Sequence, residues 1–285
     1  MTTHGETASS SPADSLLIIA GRGSYPLECA RSARAEGVRR ICAIAFRGES
    51  NRRIGSWVDE VRWLPLGALQ RLLDTARDLN ATDVVLAGQI APRNLFHLRL
   101  DPRARDIMRS MHERHAHSIF GAFVAELEGA GLRVRPAHRF MRSAMPAPGR
   151  LSRRAPDERE QRDIEYGRRM AKAVGALDIG QTVVVKEGVV LAVEAFEGTD
   201  AAIRRGGRLG GRGAVVIKAS KPGHDVRFDV PVIGPRTLRG LRRAGVSALA
   251  VEAGRTVILE QERCTADADR MGLAWIAYPG PEPEA

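Results

Sequence analysis

Short apolar runs alternate with longer amphipathic stretches along the first half of the chain, a pattern typical of parallel α/β sheets. A turn signal follows most of these runs, so that strands and helices succeed one another through short connections. The pattern predicts strands at 16–20, 40–46, 57–66 and 83–88, a brief strand near 132–134, and helices at 26–36, 67–80 and over most of 103–130. We therefore expect an N-terminal Rossmann-like domain built on a parallel sheet.

The second half predicts an α/β domain with a mixed sheet. A helix over 156–174 precedes two strands joined by Glu187-Gly188, which is a hairpin signal. A short helix should begin at Thr199, with Thr199 as its N-cap, and the glycine-rich stretch 206–213 is expected to be a flexible loop. Further strands are predicted at 182–186, 189–195, 214–219, 248–251, 256–260 and 273–277, and further helices at 235–244 and 261–271.

A segment rich in proline and glycine, Met145–Gly149, is the natural linker between the halves. We place a nucleotide-binding domain at 15–147 and a catalytic domain at 148–285, with a ligand cleft between them. Residues 1–14 are polar, predict a disordered tail and lack the apolar core of a signal peptide. No run approaches the roughly 18 apolar residues that a spanning helix needs, so we expect any membrane contact to be peripheral.

Composition narrows the class of partner. The 285 residues include 44 Lys and Arg against 34 Asp and Glu, a formal net charge of +10. Such an excess suits phosphate groups, an acidic membrane surface or nucleic acid, and a coding preference for arginine explains it equally well. Aromatic residues make up only 5% of the chain and no recognised module is present, so nucleic-acid binding is not expected. The three cysteines lack C-x-x-C spacing, which favours a reducing cytosol.

A glycine turn follows the first predicted strand. Gly21, Gly23 and Ser24 lie between that strand and a helix, where backbone N–H groups can hold phosphate. Gly88 ends the strand at 83–88 and Gln89 follows it, and open α/β sheets bind ligands at such strand ends. These five residues are predicted to bind substrate.

Two alternatives remain for the glycine turn. It could be a tight turn with a structural role only, or part of an NAD site. Against NAD, Pro26 stands where the third glycine of the dinucleotide fingerprint belongs, and Arg47 precedes the first carboxylate, Glu49, after the second strand.

Two polar segments of the second half carry the candidate chemistry. Both combine carboxylates with strand ends, which suits a phosphate enzyme that uses a divalent metal, because Mg²⁺ takes one or two carboxylates and fills its octahedron with water and substrate phosphate. Glu194 is a weaker candidate, since strand alternation turns it away from Glu197. In the first segment, Gln181 and Thr199 are predicted to bind substrate, and Glu197 and Asp200 are the candidate catalytic carboxylates. In the second segment, Lys218 and Lys221 are placed to hold phosphate oxygens, and Asp229 is the candidate carboxylate.

A third polar segment, His112–His117, contains three histidines. Their spacing does not place all three on one face of a helix, and the match to H-E-x-x-H fails by one position. A zinc site is therefore not expected there.

Taken together, these motifs resemble those of the LpxI-type UDP-2,3-diacylglucosamine pyrophosphatases. The resemblance covers about Leu16 to Tyr278 and includes the N-terminal I-A-G-R-G-S-Y-P turn and A-G-Q at 87–89. Its most specific part is the combination of D-I-G-Q at 178–181, V-E-A-F-E-G-T-D at 193–200, K-A-S-K-P at 218–222 and D-V-P-V-I-G at 229–234.

The resemblance implies two α/β domains with substrate between them and an activity in lipid A synthesis. Water would attack the α-phosphorus of UDP-2,3-diacylglucosamine to give UMP and 2,3-diacylglucosamine 1-phosphate, with Mg²⁺ or a similar ion. The essential aspartate of the family falls on Asp229, which we expect to handle metal and water. Asp200 is expected to be a second metal ligand and a catalytic residue, and Glu197 a further catalytic residue. The resemblance also implies a homodimer at the cytosolic face of the inner membrane.

Two departures from the family pattern leave an alternative open. This chain has His115-Ala116-His117 where the family usually carries G-D-D, and Ala91-Pro92-Arg93 where it has Arg-Pro. Loss of carboxylates could weaken metal binding or favour a softer ion such as Mn²⁺. The alternative function is a non-catalytic or substrate-shifted binder of nucleotide-sugar lipids.

Overall fold

The structure is a computed structural model that describes residues 14–90, 99–111, 116–223 and 225–280, without the side chains of residues 116 and 117. The N-terminal sheet is parallel throughout, as predicted, and its strand order is β3-β2-β1-β4-β5. The central strand β1 is completely apolar after its first residue and is buried on both faces. The strands are β1 Ser15–Ala20, β2 Arg40–Phe46, β3 Glu60–Leu64, β4 Asp83–Ala87 and β5 Arg133–Arg135.

Helices cover both faces of this sheet. The helix predicted over most of 103–130 is present as two helices, α3 and α4, and residues 112–115 between them lie outside the described chain. The N-terminal helices are α1 Tyr25–Ala35, α2 Leu69–Asp78, α3 Pro102–Ser110 and α4 Ala116–Gly129.

The C-terminal sheet has six strands in the order β6-β13-β11-β9-β7-β8. Strands β9, β11 and β13 are parallel to one another, whereas β6, β7 and β8 join by antiparallel ladders, which confirms the mixed sheet. The strands are β6 Gly149–Arg150, β7 Thr182–Lys186, β8 Val189–Val193, β9 Ala214–Lys218, β11 Val246–Glu252 and β13 Ala274–Tyr278. A separate parallel pair, β10 Val232–Ile233 and β12 Val257–Ile258, takes the place of the single strand predicted at 256–260.

Two helices pack on opposite faces of the C-terminal sheet. Helix α5, Glu158–Ala176, packs on the face that carries Val183 and Ile217. Helix α6, Thr199–Gly210, packs on the face that carries Val184 and Val216. The remaining helices are α7 Pro235–Arg243 and α8 Gln261–Met271.

Two predictions about α6 are wrong. The glycine-rich stretch 206–213 is not a flexible loop in its first part, because the helix continues to Gly210. A Cβ on Gly206 would lie 2.6 Å from Val184, and one on Gly207 would lie 2.5 Å from the Ala244 carbonyl oxygen, so these glycines allow close packing. Thr199 is the first residue of the helix rather than its N-cap, which is Gly198.

The segment between β9 and α7 packs against the N-terminal domain. The Phe228 ring stacks on Phe120 of α4 with 5.7 Å between centroids, and Arg227 Nη1 lies 2.7 Å from Glu128 Oε1. On the other side of the domain contact, the Glu28 carboxylate of α1 accepts a hydrogen bond from the Glu260 backbone N–H at 2.8 Å. The loop that contains Asp229 is therefore held between the two domains.

None of the helices in the described ranges is both long enough and apolar enough to cross a bilayer.

Candidate active site

The glycine turn lies at the carboxyl ends of β1 and β4, as predicted. Gly21 N–H donates to the Ala87 carbonyl and Arg22 N–H donates to the Gln89 carbonyl, both at 2.7 Å. A Cβ on Gly21 would lie 2.7 Å from the Gln89 carbonyl oxygen, and one on Gly88, whose φ is +94°, would lie 2.7 Å from the Arg22 carbonyl oxygen. The two turns can approach this closely only because both residues are glycine.

Ser24 and Gly23 complete this turn before α1. Gly23 has φ +92° with open space around its α-carbon, and the Ser24 hydroxyl makes no capping bond to the helix that follows. Helix α1 therefore begins, at the carboxyl end of the central strand, with backbone N–H groups that favour an anion, although Pro26 in its first turn has no N–H.

In the C-terminal domain, the two segments on either side of the hairpin are pressed together at one edge of the sheet. The Glu194 N–H donates to the Thr182 carbonyl at 2.8 Å. A Cβ on Gly180 would lie only 2.0 Å from the Glu194 carbonyl oxygen. The D-I-G-Q and E-A-F-E-G-T-D motifs are consequently neighbours in space.

Lys221 joins the D-I-G-Q motif to the loop of Asp229. Its Nζ lies 2.7 Å from Asp178 Oδ1 and 3.6 Å from Asp229 Oδ2. All three side chains are partly buried, so this contact is less screened than a surface ion pair. Asp178, at the end of α5 with φ +53°, belongs to this contact but is not among the predicted site residues.

Lys218 and Thr199 form a second polar cluster on the α6 face. Lys218 Nζ donates to Thr199 Oγ1 at 2.7 Å, and Thr199 Oγ1 donates to Glu194 Oε1 at 2.8 Å. Thr182 Oγ1 lies 3.5 Å from the same ammonium. Glu194, expected to be a weak candidate, is therefore the acidic partner of Thr199 and is linked to Lys218 only through that hydroxyl.

Arginines hold the remaining predicted carboxylates. Arg205 donates to Glu197 at 2.6 Å, and this hydrogen bond holds the pKa of Glu197 below its usual value. Arg236 Nε lies 2.6 Å from Asp200 Oδ2. Within the described residues, no group of three or more His, Cys, Asp or Glu side chains is placed to hold a metal ion.

Gln181, also predicted to bind substrate, lies one residue before β7. Its backbone carbonyl accepts from Ala219 N–H at 3.0 Å, which ties it to the strand that ends at Lys218. The buried side-chain oxygen Oε1 has no hydrogen-bond partner among the described residues, so it remains available as an acceptor.

Sequence reasoning missed the residue that anchors the lysine loop. Glu252, at the end of β11, is 3% exposed and accepts from the backbone N–H of Ser220 at 2.8 Å and from the Ser220 hydroxyl. Ser220 separates the two lysines of K-A-S-K-P. A lone glutamate after an apolar strand gives no sequence signal for this contact, which spans 32 residues.

Several predictions fall outside the described part of the chain. The interpretation of His112–His117 concerns residues 112–115 and the side chains of 116 and 117, none of which is described. The same holds for the departure at Ala91-Pro92-Arg93.

Both halves of the chain match models of one protein family. Residues 15–144 match the LpxI N-terminal domain, and residues 147–276 match the LpxI C-terminal domain. UDP-2,3-diacylglucosamine pyrophosphatase LpxI of Caulobacter vibrioides is 31% identical over 269 residues, which are 90% of this chain and 95% of that protein.

Solved structures give weaker matches. The biotin carboxylase domain of the Hydrogenobacter thermophilus 2-oxoglutarate carboxylase is 15% identical with a TM-score of 0.29, covering 63% of this chain and 36% of that one. The biotin carboxylase subunit of a pyruvate carboxylase is 15% identical with a TM-score of 0.28, covering 65% of this chain and 38% of that one. At these TM-scores the likeness shows neither fold nor function. The two domain models and the relative at 31% identity agree with the motifs and the fold: the chain belongs to the LpxI family.

Proposed function

We propose that this protein hydrolyses the pyrophosphate bond of UDP-2,3-diacylglucosamine, giving UMP and 2,3-diacylglucosamine 1-phosphate for lipid A synthesis. Water attacks the α-phosphorus, and the sugar phosphate is the leaving group. The observation that carries the proposal is the gathering of Asp178, Lys221 and Asp229 at the domain contact, in a chain whose relative in Caulobacter vibrioides is named for this reaction.

The chemistry of each polar side chain decides the role that we assign to it. Lys218 and Lys221 hold phosphate oxygens, because ammonium donors bind anionic oxygen more strongly than neutral donors do. Gly21, Gly23, Ser24, Gly88 and Gln89 bind the nucleotide side through backbone groups at the strand ends. Gln181 adds neutral hydrogen bonds, and Thr199 contacts the substrate beside Lys218. Glu197 and Asp200 are further catalytic carboxylates, and Asp229 accepts a proton from the attacking water.

The donor set near Lys221 fits a hard divalent cation. Asp178 and Asp229 already hold one cationic group between them, within 3.6 Å of both carboxylates, and Mg²⁺ needs only one or two carboxylates from the protein. Asp229 would be the first ligand of Mg²⁺, with Mn²⁺ as the alternative ion. When bound, the ion would neutralise charge on the phosphoryl group. Asp200, the second predicted ligand, would have to leave Arg236 to contribute.

Membrane contact is part of the proposal and has support at the same edge of the molecule. The loops that carry the polar residues also expose large apolar side chains, although such residues are usually buried. Phe196 is 60% exposed and Leu177 is 71% exposed, and Ile179 and Val226 are exposed on the same loops. We propose that these side chains meet acyl chains at the cytosolic face of the inner membrane, and that the enzyme works there as a homodimer.

The decisive experiment follows UMP release from UDP-2,3-diacylglucosamine with Mg²⁺ or Mn²⁺. Wild-type protein should release UMP, and Asp229→Ala should not. In ¹⁸O-labelled water the label should appear in UMP, because water attacks the α-phosphorus. Arg270→Ala, an exposed ion-pair residue of α8, is the matched surface control and should hydrolyse normally.

Each alternative result has a definite reading. Equal turnover by Asp229→Ala, or label in the sugar phosphate, would refute the proposed chemistry. Tight substrate binding without turnover under either ion would instead favour a nucleotide-sugar-lipid binding protein.

A further inference from the structure

The most deeply buried cation of the candidate site is Lys218. Its side chain is 3% exposed, and in the described residues no carboxylate forms an ion pair with its ammonium, whereas Lys221 contacts two. Burying a charge is costly unless it is paired and hydrogen-bonded. The surroundings of Lys218 must therefore compensate its charge in another way.

The Glu194 carboxylate is linked to the Lys218 ammonium through the hydroxyl group of Thr199. Thr199 Oγ1 lies 2.7 Å from Lys218 Nζ and 2.8 Å from Glu194 Oε1. A hydroxyl has one hydrogen, and a carboxylate only accepts, so Thr199 donates to Glu194 and turns a lone pair to Lys218. The carboxylate thus fixes the orientation of the hydroxyl and, through it, the position of the ammonium.

Within the described residues, both the Lys218 ammonium and the Glu194 carboxylate can make further hydrogen bonds. Lys218 has three N–H donors, and the protein offers it two hydroxyl acceptors, Thr199 and the more distant Thr182. Glu194 is 8% exposed, and its second oxygen Oε2 is buried with no hydrogen-bond partner among the described residues. A direct ion pair with Glu194 would occupy the Lys218 ammonium and hold it away from other anions. With the Thr199 hydroxyl between them, the negative charge stays near and an N–H group of Lys218 remains available to another anion.

We propose that Glu194 is a positioning residue which, through Thr199, directs the Lys218 ammonium at a phosphate oxygen of the substrate. The inference rests on the proposed function and adds to it a residue that does not itself touch substrate. Glu194 precedes Thr199 by 5 residues, but Lys218 follows it by 19 residues and lies on β9, so the complete relay forms only when α6 packs on the sheet.

The test compares single variants under conditions where all are folded. Thr199→Val keeps the shape of the side chain and removes the hydroxyl, and Glu194→Gln keeps the shape and removes the charge. Each should lower kcat for UMP release by about 10- to 100-fold, the range expected for a hydrogen bond to a charged group. KM should rise as well, because the same ammonium holds the phosphate of the bound nucleotide, and neither loss should exceed that of Lys218→Met.

Two comparisons separate positioning from mere structural support. Thr199→Ser restores a hydroxyl and should recover at least several-fold of the kcat that Thr199→Val loses. Glu160→Gln removes another buried carboxylate of the same domain, bound to Arg154 at 2.8 Å, and should lower stability while leaving kcat and KM unchanged.

Binding of UDP, measured by calorimetry, keeps this inference separable from the proposed function. Lys218→Met, Glu194→Gln and Thr199→Val should each weaken UDP binding by about 10-fold or more, and Glu160→Gln should not. If wild-type protein hydrolyses substrate but Glu194→Gln and Thr199→Val match it in kcat and UDP affinity, the relay is refuted and the function stands. If wild-type protein binds UDP without hydrolysing the substrate and the variants weaken UDP binding, the relay is supported and the proposed hydrolysis is refuted.

Discussion

Substitution of Gly180 by alanine should damage both the stability of the C-terminal domain and its activity. Gly180 lies between Asp178 and β7, where the chain passes against the segment that follows β8. A Cβ there would lie 2.0 Å from the Glu194 carbonyl oxygen and 2.7 Å from its carbonyl carbon. These are backbone atoms, so no side-chain rotation can relieve the clash.

The size of the effect follows from this geometry. A carbon and a carbonyl oxygen need about 3.3 Å, so the two segments must separate by roughly 1 Å. Overpacking of this kind costs about 1–3 kcal/mol. Separation also weakens the hydrogen bond between Glu194 N–H and the Thr182 carbonyl, now 2.8 Å long, at a cost of about 1 kcal/mol. We therefore expect a loss of about 2–4 kcal/mol in the free energy of unfolding.

Gly188→Ala is the matched control on the same hairpin. Gly188 has φ +75°, and nothing lies within 4 Å of a Cβ built there. The control therefore carries only the cost of a left-handed alanine, about 1–2 kcal/mol. Urea unfolding followed by far-ultraviolet circular dichroism measures both variants, and UMP release at low urea measures the activity of the folded protein.

The activity result distinguishes a local from a general effect. Movement of Glu194 should break its bond to Thr199, so Gly180→Ala should lose at least about 10-fold in kcat, whereas Gly188→Ala should lose little. If Gly180→Ala is no less stable than Gly188→Ala, the two segments do not pack as described. If it is less stable but fully active, Glu194 does not position the site.

Three further predictions test other parts of the structure. Lys221→Met should lower kcat/KM for UMP release by about 100-fold, since a hydrogen bond to a charged group contributes roughly 1.5–3 kcal/mol. The control Lys172→Met, at an exposed position, should leave kcat/KM unchanged. Equal losses in the two variants would mean that the activity depends only on the net charge of the protein. Burial raises the pKa of Cys29 and Cys264 to about 12, so a thiol reagent at about pH 8 should label them only after unfolding, and fast labelling of native protein would contradict their burial. Phe228→Ala should lower stability by about 1–3 kcal/mol through loss of the stack on α4, with Phe228→Leu less affected; a wild-type unfolding curve would show that the stack contributes nothing.

The positions of the main strands and helices could be predicted because they depend on local patterns. Helix α8 begins and ends where the sequence predicts, at Gln261 and Met271, since an apolar stripe and a following glycine mark it. Strand β2 is likewise confirmed at Arg40–Phe46. Strand order could not be predicted in this way, because nothing local in the chain specifies which strands become neighbours.

The glycines of α6 show where composition misleads. A run rich in glycine predicts a loop because glycine weakens helices by about 1 kcal/mol per residue. Gly206 and Gly207 nevertheless lie in the helix, where Val184 and Ala244 leave no room for a side chain. Tertiary packing outweighs propensity here, and only the folded neighbours reveal why.

The sequence nominates candidate site residues, but their contacts could not be predicted from it. Lys221 was expected to bind phosphate, yet its partner Asp178 lies 43 residues away in sequence. Glu194 was set aside because it alternates away from Glu197. In the structure β8 ends at Val193, so strand alternation does not apply to either residue, and Glu194 accepts from the Thr199 hydroxyl that also contacts Lys218.

The two lysines of the K-A-S-K-P motif serve different sides of the same strand end. Lys218, the last residue of β9, reaches the hydroxyl of Thr199 on the α6 face, whereas Lys221 reaches Asp178 at the end of α5, which packs on the opposite face. Between them, Ser220 is fixed by the buried Glu252 through both its N–H and its hydroxyl. This anchor at the centre of the loop keeps one lysine on each face of the sheet at the end of β9. Two cations can each hold oxygens of one of two linked phosphoryl groups, and this supports the proposal that the loop binds a pyrophosphate.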